Sequence, residues 1–465
     1  MAFSPATAGR LSWLLSALLI FTGCATTPQQ QPVYELQGDE VRQWYSQARE
    51  LVQTRRGVDL QHVTLSTVTS REMLFVLSDL YGKKLDPNMT ADMRVRVFAD
   101  RAFAEVGFLQ AVYDPFAKRI IVNEENLSRF IARMARGGAG PREAALTVLI
   151  HELVHAADDA EFDLVAIEKR HAGDALGVYM MAEGHAELQT EDFCVEAGCS
   201  SAFALARADY QAPDPQRASE ETIHAVRSSN VLLLYGQSQK FLKALEARDA
   251  SGSLIRQAML SPPGSALDFF DAATYPNNPR SQSRDRVYQV LDAVNLQDDG
   301  HTLLKVPASP YDDSVIPLSP QQRIVFANHQ RQLVNGAGKM VYVNQQKRDA
   351  SGVSIYLFEA SGPEAVQEKW REFEIQHLAF LSAIAKFGVR ARSVEIDRSE
   401  GSVQLPARAK INALQIENRE TGGQVRLYNS LFIDGNYLIA VSNANDLDLN
   451  KKAMLEVISQ LQKTL

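Results

Sequence analysis

The chain lacks the features that mark several common classes of protein. Its 465 residues contain three cysteines, too few for a scaffold that disulfides hold together. The apolar run at its N-terminus, Leu11–Phe21, is too short to span a bilayer as a permanent helix. A formal net charge of −8 without basic clusters argues against a nucleic-acid-binding protein. The remaining composition, 45% hydrophobic and 22% charged, is that of a globular protein with two or three domains.

The first residues predict export and attachment to a lipid bilayer. Arg10 precedes the apolar run and a Thr-Gly-Cys sequence ending at Cys24 follows it, the outline of a bacterial secretion signal with a lipid-attachment cysteine. The stretch resembles a lipoprotein signal, which implies removal of residues 1–23, acylation of Cys24 and a polar tether over residues 24–35. Ala25 resembles the residue found in lipoproteins of the outer membrane that face the periplasm. The alternative is an ordinary cleaved signal and a soluble product.

The two other cysteines agree with a location outside the cytoplasm. Cys194 and Cys199 are separated by four residues, and Gly198 supplies a turn between them. An oxidising periplasm permits a disulfide that closes this short loop. Zinc ligation by the pair is the alternative, but the chain offers better metal ligands and no second cysteine pair.

The most specific motif lies inside an apolar stretch. Residues 151–155 read His-Glu-Leu-Val-His, and Glu152 is the only charged residue from Ala144 to Ala157. On a helix, the i, i+4 spacing places both histidines on one face, where their imidazoles can hold one zinc ion with the glutamate beside it. We therefore predict a hydrolytic zinc site. The alternative is an amphipathic helix with two surface histidines, although burial of these groups without a metal is costly because each needs a partner.

Zinc at this motif needs a third protein ligand and keeps its fourth position for water. The acidic residues directly after the motif lie too close to the end of the same helix to reach the metal: Asp158, Asp159, Glu161 and Asp163. A second predicted helix, residues 175–194, carries Glu183, and the adjacent Gly184 would let the two helices approach closely. We predict Glu183 as the third ligand. His185 and Glu187 are the alternatives, and their other interpretation is a supporting or solvated position.

Several stretches together resemble bacterial secreted or lipid-anchored gluzincin-like metallopeptidases. The resemblance covers roughly residues 45–200 and rests on Tyr113-Asp114-Pro115, Thr147 to Asp158, Phe162-Asp163-Leu164 and Ala182 to Ala186. It implies a zinc peptidase that holds its metal through the two histidines and Glu183, with Glu152 as general base. The chain departs from these relatives at residues 157–160 and at His185, and both departures leave the metal ligands intact.

A predicted β-hairpin precedes the motif. Residues 108–113 and 119–123 are short β-prone runs joined by a turn that contains Pro115. In zinc peptidases with this motif, a strand shortly before the metal helix commonly forms the sheet edge on which an extended peptide lies. By this resemblance, residues 119–123 are predicted to be that edge and to bind the peptide substrate by β-augmentation. The alternative is a hairpin in the core.

The predicted mechanism includes one group that the sequence does not identify. Zinc would activate water, Glu152 would accept its proton and pass it to the leaving amine, and a tyrosine or histidine from outside the two helices would stabilise the oxyanion. Spacing does not distinguish the candidates, which are Tyr113, His171, Tyr179, His185, Tyr210 and His224.

The order of predicted elements indicates an α+β protein. Residues 36–305 are predicted to form a mainly helical zincin-like domain with a small sheet, and the proline-containing residues 306–335 to form a linker. Residues 336–465 predict two strands, a long helix, four strands and a closing helix, which is an α+β domain with an antiparallel sheet covered by helices. This domain has no concentration of catalytic or metal-binding residue types, and we interpret it as a binding or packing module.

Two hypotheses on function follow from these observations. The first is a zinc peptidase of the cell envelope that acts on peptides or proteins. The second is a non-catalytic lipoprotein that keeps zinc for stability and acts as a binding or chaperone-like module. A zinc site with an open fourth position favours the first, because structural zinc sites are normally closed by four protein ligands.

Overall fold

The structure, a computed structural model, describes most of the chain after the predicted tether. The described residues are 34–85, 90–91, 94, 102, 105–107, 109–171, 175–211, 232–263, 266–277, 280–298, 300–308, 330, 332–344, 352–385, 389–418 and 424–464. The predicted signal peptide and Cys24 lie outside them. Among the described residues, no helix combines the length and the apolar character that crossing a membrane requires.

Helices form most of the first part of the described chain, and a small sheet lies among them. The helices are α1 (Gly38–Arg56), α2 (Ser70–Leu85), α3 (Glu124–Arg136), α4 (Pro141–Phe162), α5 (Leu164–Arg170), α6 (Ala175–Ala197), α7 (Ser200–Gln211), α8 (Ser238–Arg248) and α9 (Ser253–Leu260). The strands are β1 (Thr64–Val68), β2 (Ala111–Asp114) and β3 (Arg119–Asn123). A π-helical turn, Leu232–Gln237, precedes α8, and a 3-10 turn, Ala266–Phe270, follows α9.

Helix α4 lies at the centre of this part. It begins with Pro141 at its first position, and the Gly140 backbone N–H donates to the Glu143 side chain at 3.3 Å. It ends at Asp163, whose left-handed backbone (φ 55°) stops α4 while its side chain caps α5. Most residues from 144 to 159 are buried. Because the buried positions occupy more than one face, α4 is a core helix rather than an amphipathic surface helix.

The neighbours of α4 share one hydrophobic core with it. Helices α1, α3, α6 and α7 and strand β2 pack around α4. A disulfide between Cys194 and Cys199 lies in this core and joins the end of α6 to the start of α7. A second apolar cluster fixes another side of α6 against α8 and α9. Helix α6 is therefore held from two directions, which matters because it carries the predicted third ligand.

The small sheet corrects one prediction. Its strand order is β1-β3-β2, with β1 parallel and β2 antiparallel to β3. The predicted hairpin is present, but residues 119–123 have hydrogen-bonded strands on both sides, so the prediction that they form the sheet edge is wrong. The parallel pairing with residues 64–68 joins segments that are far apart in sequence, and no local pattern indicates it. The strand that packs on α4 and lies at the edge of this sheet, as far as the chain is described, is β2.

The second part is built on a seven-stranded antiparallel sheet in the order β6-β7-β8-β12-β11-β10-β9. Its strands are β6 (Leu304–Ala308), β7 (Val334–Val343), β8 (Gly352–Ala360), β9 (Val389–Glu395), β10 (Lys410–Asn418), β11 (Gln424–Asp434) and β12 (Tyr437–Ala444). A short ribbon precedes it, formed by β4 (Gln297–Asp298) and β5 (His301–Thr302). Helix α11 (Pro363–Ala385) covers one face, and α10 (Arg280–Ala293) and α12 (Leu447–Thr464) cover the other.

The α+β fold class is confirmed, including the large antiparallel sheet of the C-terminal region. The structure adds β6 to that sheet and places α10 in its core, where the Tyr342 hydroxyl donates to the Leu291 carbonyl at 3.0 Å. This core therefore begins before the predicted boundary at residue 305, because the apolar face of α10 is buried against the sheet. The predicted linker, residues 306–335, lies largely outside the described residues, and the division into domains stays a prediction.

A buried ion network fixes α1 and α6 on α4. The fully buried Asp158 carboxylate accepts a hydrogen bond from Arg56 of α1 at 2.9 Å and contacts Nδ1 of His185 of α6 at 2.8 Å. Burial raises the pKa of Asp158, but the charges of His185 and Arg56 outweigh it, so this pKa lies below its usual value. Since an unpaired buried carboxylate is costly, the network ties the three helices together.

Replacing Asp158 with alanine should lower the free energy of unfolding by about 3–5 kcal/mol, because Arg56 and His185 lose their shared buried counter-charge. Urea unfolding at neutral pH, followed by circular dichroism, measures this loss. Glu196→Ala is the matched control, since Glu196 pairs with Arg55 across the same two helices at a half-exposed position. Its loss should stay below about 1 kcal/mol. Equal losses in the two variants would contradict a special role of the buried network.

Candidate metal centre

Three of the predicted residues meet between α4 and α6. His151 and His155 lie one turn apart on α4, and Glu183 reaches them from α6. The Nε2 atoms of the two histidines are 3.2 Å apart. Oε2 of Glu183 lies 3.1 Å from Nε2 of His151 and 3.5 Å from Nε2 of His155. All three side chains are partly buried, so the cluster does not lie on an open surface.

The spacing of these atoms fits a zinc ion. Zinc bound at about 2.0–2.1 Å in tetrahedral geometry separates its ligand atoms by about 3.3–3.4 Å. The three observed distances, 3.1, 3.2 and 3.5 Å, bracket that value. Two imidazoles and a carboxylate are also a donor set that zinc takes in catalytic sites. Among the described residues, no fourth histidine, cysteine, aspartate or glutamate joins the cluster.

The electrostatics of the cluster favour one added positive charge. Burial lowers the pKa of His151, but its hydrogen bond and charge interaction with Glu183 outweigh this effect and raise that pKa to about 9. Burial would raise the pKa of Glu183, yet the two histidines hold it well below its usual range. Either a proton or a metal cation can supply the charge that these contacts favour, so the two compete for the same ligands.

Glu152 lies next to the ligands without being one of them. Its side chain is buried, and burial raises the pKa of its carboxyl group above the usual value, although the nearby histidines lower it. A backbone hydrogen bond from Tyr113 of β2 reaches the carboxylate. A carboxyl group with a raised pKa beside a metal centre is suited to accept and return a proton near neutral pH.

The two alternative ligands lie outside the cluster. Oε1 of Glu187 is 3.6 Å from Nδ1 of His151, the ring nitrogen that does not face the other ligands. Glu187 therefore lies where it can orient this ring. His185 contacts Asp158 and does not reach the ligand atoms. The acidic residues after the motif also have other partners: Arg56 for Asp158 and Glu161, Tyr113 and Lys118 for Asp159, and the Ala166 N–H for Asp163.

The predicted candidates for the oxyanion-stabilising group have other positions or contacts, or lie outside the described residues. The hydroxyl of Tyr113 donates to Asp159 at 2.9 Å, and that of Tyr179 donates to Glu168 at 2.6 Å. His171 is the residue that ends α5, and His185 belongs to the buried ion network. The side chain of Tyr210 and all of His224 lie outside the described residues.

A tyrosine that the sequence does not single out lies beside the ligands instead. The ring centres of Tyr235 and His151 are 5.7 Å apart, and the rings are tilted by 34°. Tyr235 belongs to the π-helical turn, a rare structure that is frequent at functional sites. No motif or spacing marks such a turn, and the only signal in the sequence is a tyrosine at the end of an apolar run, Val231 to Leu234.

Gly184 has a different role from the predicted one. A Cβ atom at this position would lie 2.5 Å from both Cβ and Oγ of Ser238, which begins α8. The glycine therefore permits close packing of α6 on α8, and the prediction that it lets the two ligand-bearing helices approach each other is wrong. The reason is helical geometry, since consecutive residues project about 100° apart, so that Glu183 faces α4 while Gly184 faces α8.

Removing Glu183 should weaken zinc binding more than removing Glu187. Glu183→Ala deletes one of three ligands, whereas Glu187→Ala removes a group that only orients His151 and should cost about 10–100-fold in affinity. Competition titration with a chromophoric zinc chelator measures both variants. Glu191→Ala is the control, because Glu191 lies one turn further along α6 and pairs with Lys243. A larger loss in the Glu187 variant than in the Glu183 variant would exchange the two roles.

Comparisons with known proteins do not assign the chain to a family. No family model matches the chain, and no curated protein sequence matches it. Among solved structures, the chain is similar to a protein from Chloroflexus aurantiacus that is described as "a putative hydrolase with a novel fold", with a TM-score of 0.32 and 15% sequence identity over 58% of this chain and 96% of that chain. A likeness at this TM-score carries no conclusion about the present chain. The resemblance to gluzincin-like metallopeptidases stays a prediction.

Proposed function

We propose that the protein is a zinc-dependent peptidase. The observation that carries the proposal is the cluster of His151, His155 and Glu183, whose ligand atoms are 3.1–3.5 Å apart, with the buried carboxyl group of Glu152 beside it. Three protein ligands leave one position of a tetrahedral zinc ion for water or substrate, as in catalytic zinc sites and unlike structural ones. The motif that resembles gluzincin-like metallopeptidases supports the same conclusion.

The residues around the centre have different roles in peptide hydrolysis. The two histidines and Glu183 would hold a zinc ion, which would supply a water that is nucleophilic near neutral pH and a Lewis acid for the scissile carbonyl. Glu152 accepts the proton of the attacking water, which its raised pKa favours, and returns it to the leaving amine. Glu187 holds the ring of His151 in the orientation that directs Nε2 at the other ligands.

In this proposal, an extended substrate lies along the side of β2 that faces away from β3. Tyr113 of this strand makes the backbone hydrogen bond to Glu152, so β2 runs directly beside the general base. Asp159 of α4 accepts hydrogen bonds from Tyr113 at 2.9 Å and Lys118 at 2.6 Å, and these contacts hold the hairpin on α4. A peptide that paired with β2 through backbone hydrogen bonds would bind with little dependence on its side chains.

The proposed location is the cell envelope. The sequence before residue 34 resembles a lipoprotein signal that ends at Cys24, which would anchor the protein in the outer membrane, facing the periplasm. The disulfide between Cys194 and Cys199 supports this location because such bonds persist in oxidising compartments. The substrates would then be peptides or proteins of the periplasm.

The first test compares the wild type with Glu152→Gln. This variant should keep its zinc, because Glu152 is not a ligand, and should lose about 10²–10⁴-fold in kcat, because the general base is gone. Atomic absorption measures the zinc, and a broad library of internally quenched peptides measures hydrolysis. His155→Ala is the control that should lose both zinc and activity.

A wild type that binds zinc without cleaving peptides would favour the second hypothesis, a non-catalytic zinc-binding lipoprotein. If the wild type and Glu152→Gln each bind one zinc ion and neither cleaves any peptide of the library, the enzyme proposal fails. The cluster would then stabilise a binding or chaperone-like module.

The second test addresses the lipid anchor. The full-length Cys24→Ala variant, produced in a bacterium with an outer membrane, should leave the outer-membrane fraction because it lacks the acylated residue. Fractionation and immunoblotting measure the distribution. Cys199→Ala should stay with the membrane, since it leaves the signal unchanged. A wild type that is itself soluble would support an ordinary cleaved signal instead.

A further inference from the structure

Tyr113 turns its backbone N–H away from the strand that pairs with β2. The N–H of Asn123 on β3 donates to the carbonyl of Gln110 at 2.8 Å, just before β2 begins. Hydrogen-bonded positions alternate along an antiparallel pair, so the even-numbered residues of β2 bond to β3 and Tyr113 does not. This alternation agrees with the hydrogen bond that the Tyr113 N–H donates to the carboxylate of Glu152 on α4. The strand therefore reaches the candidate general base through its backbone.

The side chain of Tyr113 contacts α4 at a second point. Its hydroxyl donates to Oδ2 of Asp159 at 2.9 Å, and Nζ of Lys118 lies 2.6 Å from the same oxygen. Tyr113 and Asp159 are both buried. Burial and the charge of Asp159 raise the pKa of Tyr113, so its hydroxyl keeps its proton and stays a hydrogen-bond donor.

The two contacts of Tyr113 lie on one side of α4. Glu152 and Asp159 are seven residues apart, which is almost two full turns, so they project in nearly the same direction about 10 Å apart along the helix. Tyr113 bridges them, with its backbone at Glu152 and its hydroxyl at Asp159. A residue attached at two separated points cannot slide or rotate on α4 without breaking one contact. The hydroxyl contact therefore fixes where the N–H lies relative to Glu152.

We propose that Tyr113 is a positioning residue for the general base, an inference that rests on the proposed peptidase function. Its N–H binds one oxygen of the Glu152 carboxylate and leaves the other oxygen for the proton of the attacking water. The bond between the hydroxyl and Asp159 keeps this arrangement in place. A general base must lie within about 2.6–3.2 Å of the atom whose proton it accepts, and a displacement of about 1 Å can cost about 10²-fold in rate.

Tyr113→Phe tests this role because it keeps the ring and removes only the hydroxyl. In the zinc-loaded protein, kcat should fall by about 10–100-fold, because β2 can shift on α4 and Glu152 loses its fixed orientation. Zinc content should equal that of the wild type, since Tyr113 is not a ligand. Tyr45→Phe is the matched control, because the buried Tyr45 hydroxyl of α1 donates to the carbonyl of Val63 at 2.6 Å. This variant loses a comparable hydrogen bond, and its kcat should stay within about threefold of the wild type.

Variants of Asp159 separate a positioning role from a general loss of stability. Asp159→Leu removes the acceptor and should lower kcat as much as Tyr113→Phe does. Asp159→Asn should recover most of that loss, since its amide oxygen can still accept the hydrogen bond of the hydroxyl. The double variant Tyr113→Phe/Asp159→Leu should lose little more than either single variant, because both changes break the same contact. Additive losses, or an Asn variant as slow as the Leu variant, would contradict the positioning role.

Amide hydrogen exchange measures the contact with Glu152 without any turnover. In the intact protein labelled with ¹⁵N-tyrosine, the Tyr113 amide is the resonance that Tyr113→Phe lacks. Its exchange should be about tenfold faster in Glu152→Ala and in Asp159→Leu than in the wild type, because the N–H loses its acceptor or its fixed position. Glu187→Ala is the control, since it removes a carboxylate that contacts His151 and should leave this exchange rate unchanged.

The outcomes distinguish this inference from the proposed function. An active wild type whose kcat survives Tyr113→Phe within about threefold overturns the positioning role and leaves the peptidase proposal standing. A Tyr113 amide whose exchange is the same in Glu152→Ala and in the wild type has the same consequence. A wild type that cleaves no peptide ends the peptidase proposal and this inference together.

Discussion

The ionisable side chains buried on α4 need partners, and this need governs how the surrounding elements pack. Helix α4 is enclosed by apolar contacts, yet Glu152, Asp158 and Asp159 lie inside with it. Each carboxyl group has partners on neighbouring elements: the β-hairpin reaches Glu152 through the β2 backbone and Asp159 through Tyr113 and Lys118, while α1 and α6 reach Asp158. Leaving any of these groups unpaired would cost several kcal/mol, which is as much as a severely destabilising single mutation. The polar contacts therefore determine where the neighbouring elements pack along α4.

The same arrangement concentrates the chemistry on one helix pair. One side of α6 presents Glu183 to the histidines and Glu187 to the back of His151, while the next residue, Gly184, admits α8 and its preceding turn. A single stretch of α6 therefore meets both the ligands on α4 and the element that carries Tyr235. In the C-terminal part, the described residues contain no comparable cluster of ligands, and its sheet is covered by helices on both faces.

Local sequence patterns were sufficient to predict the structure where interacting residues lie close in the sequence. The spacing of His151 and His155 within an apolar stretch predicted α4 and their shared face, and short β-prone runs with turn residues predicted the β-hairpin and the strands of the C-terminal sheet. The same patterns failed where segments pair over long distances. The parallel pairing of β1 with β3 turned the predicted edge strand into a central one, and α10 joined a core that the sequence assigned to later residues.

The sequence by itself determined the residues of the candidate metal centre that lie on one helix. Two histidines at i, i+4 around a glutamate predict the candidate ligands, their common face and the candidate general base, because the geometry of one helix sets all three. Only the tertiary structure decided which strand borders the centre, what Gly184 packs against, and that Tyr235 lies beside His151. Those facts depend on contacts between segments that are separated along the chain, and side-chain volume and buried charge select such contacts only in three dimensions.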